Sequence, residues 1–469
     1  MLEINNQYTF IKRQVQTEVL KAFFADGFEQ KIDAIPFAII PKERISSRCC
    51  IYKERAMVRY RIMAMMGVDI PSEDDELKSL GAFAASQKGR SLQGEPVLTT
   101  IPTACSACPK ERYFVSAACR QCIARPCLTN CPKTCITFDQ GQAEIDEECC
   151  IRCGKCMGVC PFGAIVHVPV PCESACPVDA VHKNEHGYVE LDKEKCISCG
   201  KCAANCPFGA IVERSEMMEI ALYLKEEVPT VALIAPSIEG QFPGTLSQIS
   251  KALLEAGFSA VLEVAQGAET TSYHEAEELL QKKEFMTTSC CPAYTALVDK
   301  HLPQLSGHLS TALSPMAYTG QQARQKYPQA KNVFIGPCLA KRSEAAHLAE
   351  IDAVMTFSEL AALFLAKDID VREMEECEEE QKQSWTDCRQ FALSGGVAAC
   401  VNRRSDQKEL RVHSVDGLDK KTVRVLSSWE KRPIAADLVE VMCCEGGCIN
   451  GPGVVVKPQI ARKFRQDRQ

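Results

Sequence analysis

CIRCGKCMGVCPFGAI (residues 150–165) and CISCGKCAANCPFGAI (residues 196–211) decide the reading of this chain. Each spaces its cysteines C-x2-C-x2-C-x3-C and places a proline after the last. Cys150, Cys153, Cys156 and Cys160 form one copy, and Cys196, Cys199, Cys202 and Cys206 form the other. Three thiolates so close in sequence wrap one iron–sulfur cube, while the fourth reaches a second cube. A zinc site would pair two C-x2-C units and would call for neither the third cysteine nor the proline. The shared continuation PFGAI marks an internal repeat.

The run resembles that of bacterial ferredoxins, and its partners must lie upstream. Cys119, Cys122, Cys127 and Cys131, followed by Pro132, make a variant run with a longer middle gap. Cross-ligation then predicts two sets: Cys119, Cys122, Cys127 with Cys160, and Cys150, Cys153, Cys156 with Cys131. The run at 196–206 needs a partner too. Cys172 and Cys176 supply its second half, and Cys105 and Cys108 supply its first half far upstream. The simplest reading inserts one two-cluster ferredoxin into another. It gives Cys105, Cys108, Cys172 with Cys206, and Cys196, Cys199, Cys202 with Cys176. The nesting resembles the electron-transfer subunits of molybdenum oxidoreductases. Four accessory [4Fe-4S] clusters in series would form a wire for electrons. Cys135 and Cys149 are left over and are expected to pack beside a cluster.

The rest of the chain fits a soluble globular protein. Lys plus Arg is 54 against 61 for Asp plus Glu, a net charge of −7, so no basic excess exists to neutralise nucleic-acid phosphates. No apolar run approaches the roughly 20 residues that span a bilayer. The opening MLEINNQYTFIKRQVQ has neither a basic n-region nor an apolar h-region, so a cytoplasmic location is expected. Twenty-nine cysteines in so long a chain read as metal ligands rather than a disulfide scaffold. Three domains are expected: a helical region over 1–100, the nested ferredoxin-like domain over 101–215, and an α/β domain over 216–469. In the first, apolar periodicity predicts helices over 14–28 and 54–68, and PSEDDELKSL (71–80) reads as a helix N-terminus. Cys49 and Cys50 have no third ligand nearby and are expected to be buried and structural.

Beyond residue 228 apolar runs alternate with helical segments, which predicts parallel sheets. TVALIAPS (230–237), FSAVLEVA (258–265), EFMTTS (284–289), NVFIGP (332–337), DAVMTFS (352–358) and LVEVM (438–442) are the candidate strands. Sites in such sheets form at the carboxyl ends of strands. Three of these strands run directly into cysteines, in TSCCPAY (288–294), PCLAKRSE (337–344) and MCCEGGC (442–448).

These three segments resemble, in order, the signature motifs of [FeFe]-hydrogenases. The resemblance covers roughly residues 100–455 and implies a two-lobed α/β catalytic domain with an H-cluster. That cofactor is a [4Fe-4S] cube joined through one cysteine to a di-iron unit carrying CO, cyanide and azadithiolate. The resemblance implies Cys291, Cys338, Cys444 and Cys448 as ligands of the cube, with Cys448 bridging. It implies Cys290 as a proton-relay thiol, Lys341 as the partner of a cyanide, and Met442 beside the di-iron unit. Ala235, Pro236 and Ser237 match a pocket wall, Glu344 completes the second motif, and Gly446 and Gly447 would let backbone approach the cofactor.

Glu275, Glu278 and Lys282 share one helix face and match an outward proton path, with Ser310 and then Ser314-Pro315 following. The plainer alternative for this set is a solvated ion pair of Glu278 with Lys282. The implied reaction is 2 H+ + 2 e− ⇌ H2, with ferredoxin or a similar carrier as partner and maturation proteins to supply the di-iron unit. Several positions depart from familiar members. Tyr294 stands for Trp, Gly336 for Met, Cys443 for Ala, Glu445 for Pro, and INGPG follows Cys448. A non-catalytic or sensory relative and a plain electron-transfer subunit are the alternatives. His274 reads as a surface residue, Cys377 and Cys388 as lying in a solvated acidic stretch, and Cys400 as a packed thiol near the site.

Overall fold

The computed structural model describes residues 6–46, 48–75, 77–87, 95–105, 108, 110–139, 141–281, 284–376, 383–405, 410–432 and 434–466. Two parallel sheets form the larger half. The four-stranded sheet runs in the order Ala260–Glu263, Thr230–Ile234, Lys331–Gly336, Ala353–Thr356. The three-stranded sheet runs Met286–Thr287, Leu438–Met442, Val412–Asp416. Thr230–Ile234 and Leu438–Met442 are buried throughout, as parallel strands covered on both faces must be. Val412–Asp416 was not anticipated. Its sequence, VHSVD, is mostly exposed, and only pairing with Leu438–Met442 makes it a strand.

Helices close the two lobes against each other. Ala265–Gln281 packs on Pro315–Lys326, whose first turn is capped by the Ser314 side chain. Contact is close enough for the Gly267 N–H to donate to Thr319 Oγ1 (3.2 Å), and Thr271 Oγ1 donates to Leu313 O (3.0 Å).

The cysteine-rich zone is built from small antiparallel pairs. Arg112–Val115 pairs with Ile165–Val168, and Ile136–Asp139 with Gln142–Ile145. Leu98–Thr100 pairs with Ile211–Glu213, and Val181–Lys183 with Val189–Leu191. The Leu98–Thr100 pairing therefore spans the whole of residues 112–168. That inner segment has its own core around Tyr113, Ile136, Ala143 and Ile165. The outer unit shares one continuous core with the N-terminal helices and the four-stranded sheet.

The first zone is helical over Gln7–Phe24, Ile51–Met65 and Leu80–Gln87. Its first helix starts seven residues earlier than its apolar pattern suggests (14 against 7), with Asn6 Oδ1 accepting from the Thr9 N–H (2.8 Å). Two expectations are corrected here. PSEDDELKSL does not open a helix at residue 71: Asp75 Oδ1 takes the N–H groups of Leu77 and Lys78, and the helix begins only at Leu80, whose N–H donates to Asp33. Cys49 and Cys50 are not buried, because they precede the helix Ile51–Met65 at the surface, where Cys49 is exposed and Cys50 half-buried. Among the described residues no helix is long and apolar enough to cross a membrane.

The helix contact at Gly267 is testable. A Cβ there would overlap Pro315 O and Thr319 Oγ1, whereas one at Gly307 would meet nothing within 4 Å. Gly267→Ala should lower stability by ~1–3 kcal/mol through overpacking, seen as a lower Tm, while Gly307→Ala stays near wild type. Equal shifts would contradict the close contact.

Candidate functional site

The cysteine loops leave three strands of the two sheets at their carboxyl ends. Cys290 and Cys291 follow Met286–Thr287, Cys338 follows Lys331–Gly336, and Cys443, Cys444 and Cys448 follow Leu438–Met442. Cys290, Cys291, Cys338, Cys444 and Cys448 all line one cavity, together with Ala235, Pro236, Ser237, Lys341, Met442 and Gly447. The cavity has about 90 Å3 open to the centre of a water-sized sphere.

Its electrostatics suit a cationic cluster. Burial pushes the thiols of Cys291 and Cys338 up and that of Cys448 up to about 12, and the neighbouring thiols push the same way. Thiols this close gain from a metal that takes their charge. Burial works against the charge on Lys341, but Glu344 beside it prevails and holds its pKa above the ordinary lysine range. Lys341 Nζ donates to Glu344 Oε2 (2.6 Å) and to Cys290 O (3.4 Å). Ser237 Oγ is buried without a hydrogen-bond partner among the described residues, a free donor on the cavity wall. Four thiols, one cation and an unpaired hydroxyl fit an iron–sulfur group carrying anionic ligands.

Not every expected residue reaches the cavity. Glu344 stands behind Lys341. Gly446 lies outside the lining, with its N–H on Asp416 Oδ1 (2.6 Å). Gly447 does line it, at φ +95°, and a Cβ there would lie 2.6 Å from Ala392 O, so backbone packing as well as the cavity demands glycine. Sequence reasoning missed Phe334, Met316 and Phe391, which also form the wall. Phe334 fills the space left by Gly336 two residues along the strand, which accounts for the small residue there.

Glu275 and Glu278 lie on one face of the helix Ala265–Gln281. Glu275 is fully buried; its Oε1 accepts from the Ser289 N–H (3.1 Å), while Oε2 has no partner among the described residues. Burial, with Glu278 and Glu440 adding to it against the Ser289 hydrogen bond, lifts its pKa to about 8. Ser310 Oγ donates to Glu278 Oε2 (2.9 Å), and Glu278 is only half-buried. Lys282 lies outside the described residues. His274 is exposed and stacks on Tyr318.

The remaining cysteines gather in sets. Cys119, Cys122, Cys127 and Cys160 line one small cavity, and Cys131, Cys150, Cys153 and Cys156 line another. Burial lifts Cys172 to about 12, with Cys206, Cys105 and Cys108 acting on it as neighbours. Cys202 is raised by burial and by Cys199, Cys196 and Cys176. Among the described residues no three His, Cys, Asp or Glu side chains converge as for a single ion. Cys199 and Cys443 line the main cavity as well.

Two leftover readings are corrected. Cys135 and Cys149 do not merely pack; they are joined as a disulfide, because the hairpin between them brings their Cα atoms to 5.5 Å. Cys388 is not solvated but fully buried, its sulfur accepting from Arg404 Nη2 (3.3 Å), because the segment carrying it folds onto Ala265–Gln281. Cys400 packs in the same core as Met442. Cys377 lies outside the described residues.

Residues 228–452 match the family described as iron only hydrogenase large subunit, C-terminal domain. Residues 166–217 match an LdpA Fe-S cluster-binding domain, and residues 143–166 a 4Fe-4S binding domain. Iron hydrogenase 1 of Clostridium pasteurianum is 28% identical over 257 residues, covering 44% of this chain and 45% of that protein. The periplasmic [Fe] hydrogenase large subunit of Nitratidesulfovibrio vulgaris is 28% identical over 380 residues, covering 68% of this chain and 87% of that one. An [FeFe]-hydrogenase variant of Chlamydomonas reinhardtii aligns with a TM-score of 0.41 at 20% identity, over 51% of this chain and 83% of that chain. The chain thus spans under half the length of the first of these relatives and most of the second.

Two measurements follow. Glu275 is protonated in the fold at pH values where it ionises in the unfolded chain. Its stabilising contribution is complete below the ordinary carboxylate pKa and is lost as pH rises towards 8. Compared with Glu275→Gln in denaturant titrations, wild type should lose stability from about pH 5 up to about 8 and no further above it. A pH-independent difference would contradict the burial effect. Separately, Cys105→Ala should lower iron by about one cube, roughly four atoms per chain, and unchanged iron would refute the ligand set.

Proposed function

We propose that this [FeFe]-hydrogenase-like chain interconverts protons and H2, 2 H+ + 2 e− ⇌ H2, in the cytoplasm, with electrons passing through accessory [4Fe-4S] clusters to a ferredoxin-type carrier. The observation that carries the reading is one cavity lined by Cys291, Cys338, Cys444 and Cys448 together with Cys290, Lys341 and Met442. Cys291, Cys338, Cys444 and Cys448 would hold the cube, with Cys448 bridging to the di-iron unit that maturation proteins supply. The H-cluster, when bound, supplies the metal at which H2 is made or split and the internal base that takes its proton.

The chain's own residues do the rest. Lys341, kept charged by Glu344, offers a fixed ammonium to an anionic ligand in a dry site, where such a hydrogen bond is strong. Ala235, Pro236, Phe334, Met316 and Phe391 exclude water from the cavity. The Cys290 thiol on the wall holds a proton at Sγ, since burial first and then Glu275 and Cys291 oppose its ionisation. Glu275, lifted to about 8, gives and takes a proton near neutral pH with little driving force lost. Ser289, Ser310 and half-buried Glu278 continue from it towards solvent. Electrons enter at Cys199, which lines the cavity and belongs to the set with Cys176, Cys196 and Cys202. The sets with Cys105 and Cys119 extend the wire outward.

Infrared spectra of the chain supplied with the di-iron cofactor test this, alongside H2 uptake and evolution. Bands of bound CO and cyanide and turnover in at least one direction are expected. Cys290→Ala should keep the bands and the iron yet lose turnover by ~10²-fold or more, the scale of a lost proton-transfer group. Absence of the bands would leave an electron-transfer or non-catalytic protein in place of the hydrogenase.

A further inference from the structure

The two ferredoxin-like units repeat one another hydrogen bond by hydrogen bond, and the disulfide stands out against that repeat. Four cysteines that precede proline or close a run accept a backbone N–H from the residue four places on. Ala164 donates to Cys160 Sγ (3.4 Å), Ala180 to Cys176 (3.2 Å), Ala210 to Cys206 (3.3 Å) and Cys135 to Cys131 (3.4 Å). Three of the four donors are buried alanines; the fourth is Cys135, equally buried. Downstream the match continues. Asp146 N–H donates to Cys135 O (2.9 Å) as Asp192 N–H does to Ala180 O (2.8 Å). Asp146 Oδ1 accepts from the Cys149 N–H (3.4 Å) as Asp192 Oδ1 does from Lys195 (3.1 Å). The hydrogen bonds at the two ends of the hairpin match although the second hairpin is one residue longer, so Cys135 and Cys149 stand where Ala180 and Lys195 stand in the other unit.

The equivalent loop carries no staple and is held from outside, where Lys300 Nζ donates to Cys196 O (2.7 Å) and His301 Nε2 hydrogen-bonds Lys195 O (2.8 Å). Cys135 instead lines the same small cavity as Cys131, Cys150, Cys153 and Cys156. Its partner Cys149 is half-exposed. One sulfur therefore faces the cube's place and the other faces solvent.

We propose that Cys135–Cys149 is a redox-active disulfide, reduced through the cube of Cys131, Cys150, Cys153 and Cys156, which passes electron pairs to an external disulfide at Cys149. A cube held there would supply electrons singly and be re-reduced between transfers by an external low-potential one-electron carrier of the ferredoxin class, so that two electrons in all break the S–S bond. With two protons from solvent at the Cys149 side, the products are two thiols. The Cys149 thiolate then attacks the external disulfide and releases one thiol. Cys135 resolves the mixed disulfide, releases the second thiol and restores the Cys135–Cys149 bond. The inference rests on the accessory-cluster part of the proposed function and not on the H-cluster.

The test uses the full chain reconstituted anaerobically with its accessory cubes and without the di-iron unit. Reductive titration with titanium(III) citrate is combined with alkylation and mass spectrometry of Cys135 and Cys149. Wild type should take up two electrons more per chain than Cys135→Ala/Cys149→Lys, which copies the second unit and should keep all its iron. Both thiols should become labelled. Cys153→Ala, which removes a ligand of that cube, should slow labelling at least tenfold. Oxidised glutathione should return the pair to its disulfide with two glutathione thiols formed. Equal electron counts, labelling as fast in Cys153→Ala, or a pair that glutathione does not reoxidise would each overturn the proposal. Wild-type iron content separates the two failures: missing cubes sink the accessory-cluster reading as well, whereas intact cubes with no extra electron pair sink this inference alone.

Discussion

Several thiols held in one dry cavity are tolerable only when something other than a proton can take their charge. Burial alone drives Cys291, Cys338 and Cys448 away from ionisation, and each thiolate formed would repel its neighbours. Among the described lining residues Lys341 is the single charged side chain, so protein groups cannot balance four thiolates. A cluster can, and its binding energy then becomes part of the stability of the fold. The ligands must also be presented in place, since a loose loop would lose that gain to ordering. The chain meets this by delivering each from the end of a buried parallel strand, where the backbone is already fixed.

A second layer of buried charges fixes the loops beyond the strands. Arg342, next to Lys341, makes two hydrogen bonds to Glu359 (2.8 and 2.6 Å). Glu359 in turn caps the helix Phe357–Ala366 in a capping box with Thr356. The motif helix carrying Lys341 is thereby tied to the strand Ala353–Thr356. Glu440, fully buried in the central strand of the smaller sheet, accepts the N–H groups of Gly395 (2.7 Å) and Ala398 (2.8 Å) at the start of a helix. Arg389 grips Glu263 with two bonds of 2.8 Å and sets Phe391 and Ala392 against the cavity. Arg465 reaches from the last described helix to Pro236 O (2.9 Å) on the opposite wall. Removing one partner of such a pair would leave a buried charge alone, which is costly.

What the sequence made legible followed from rigid local rules. Cysteine spacing around a cube is fixed by the cube's size, so sets could be proposed from residue numbers, and the members of two of them line shared cavities. Buried strands betray themselves as apolar runs, and Leu438–Met442 matches its run residue for residue. Features set by tertiary contact stayed hidden. Val412–Asp416 has the composition of an exposed loop and becomes a strand only beside its neighbour. Cys388 sits in a polar segment, yet packing buries it completely. Phe334 reaches the cavity because Gly336 leaves room, a relation between two side chains of one strand that no motif records. The partners of Cys135 and Lys341 depended on the closing of a hairpin and on a rotamer, neither of which spacing encodes.

The two ferredoxin-like units differ in how they are attached. The outer unit shares its core with the N-terminal helices and the four-stranded sheet, so Cys199 is held against the main cavity by the same packing that forms the sheet. Cations of the first zone reinforce that attachment: Arg48 donates to Ala104 O (2.9 Å) and Arg61 to Phe208 O (3.3 Å), on either side of the outer unit's strand pair. The inner unit has a separate core and joins the rest through the short connections before residue 112 and after residue 168. It also carries Ile123, Ile151, Met157 and Phe162 on its surface, and Cys153 is exposed there. Rigid attachment belongs where two clusters must keep a constant gap, and exposure belongs where electrons are exchanged with a partner that comes and goes. Under the proposed electron route, the insertion of one unit within the other would deliver both conditions from a single repeated fold.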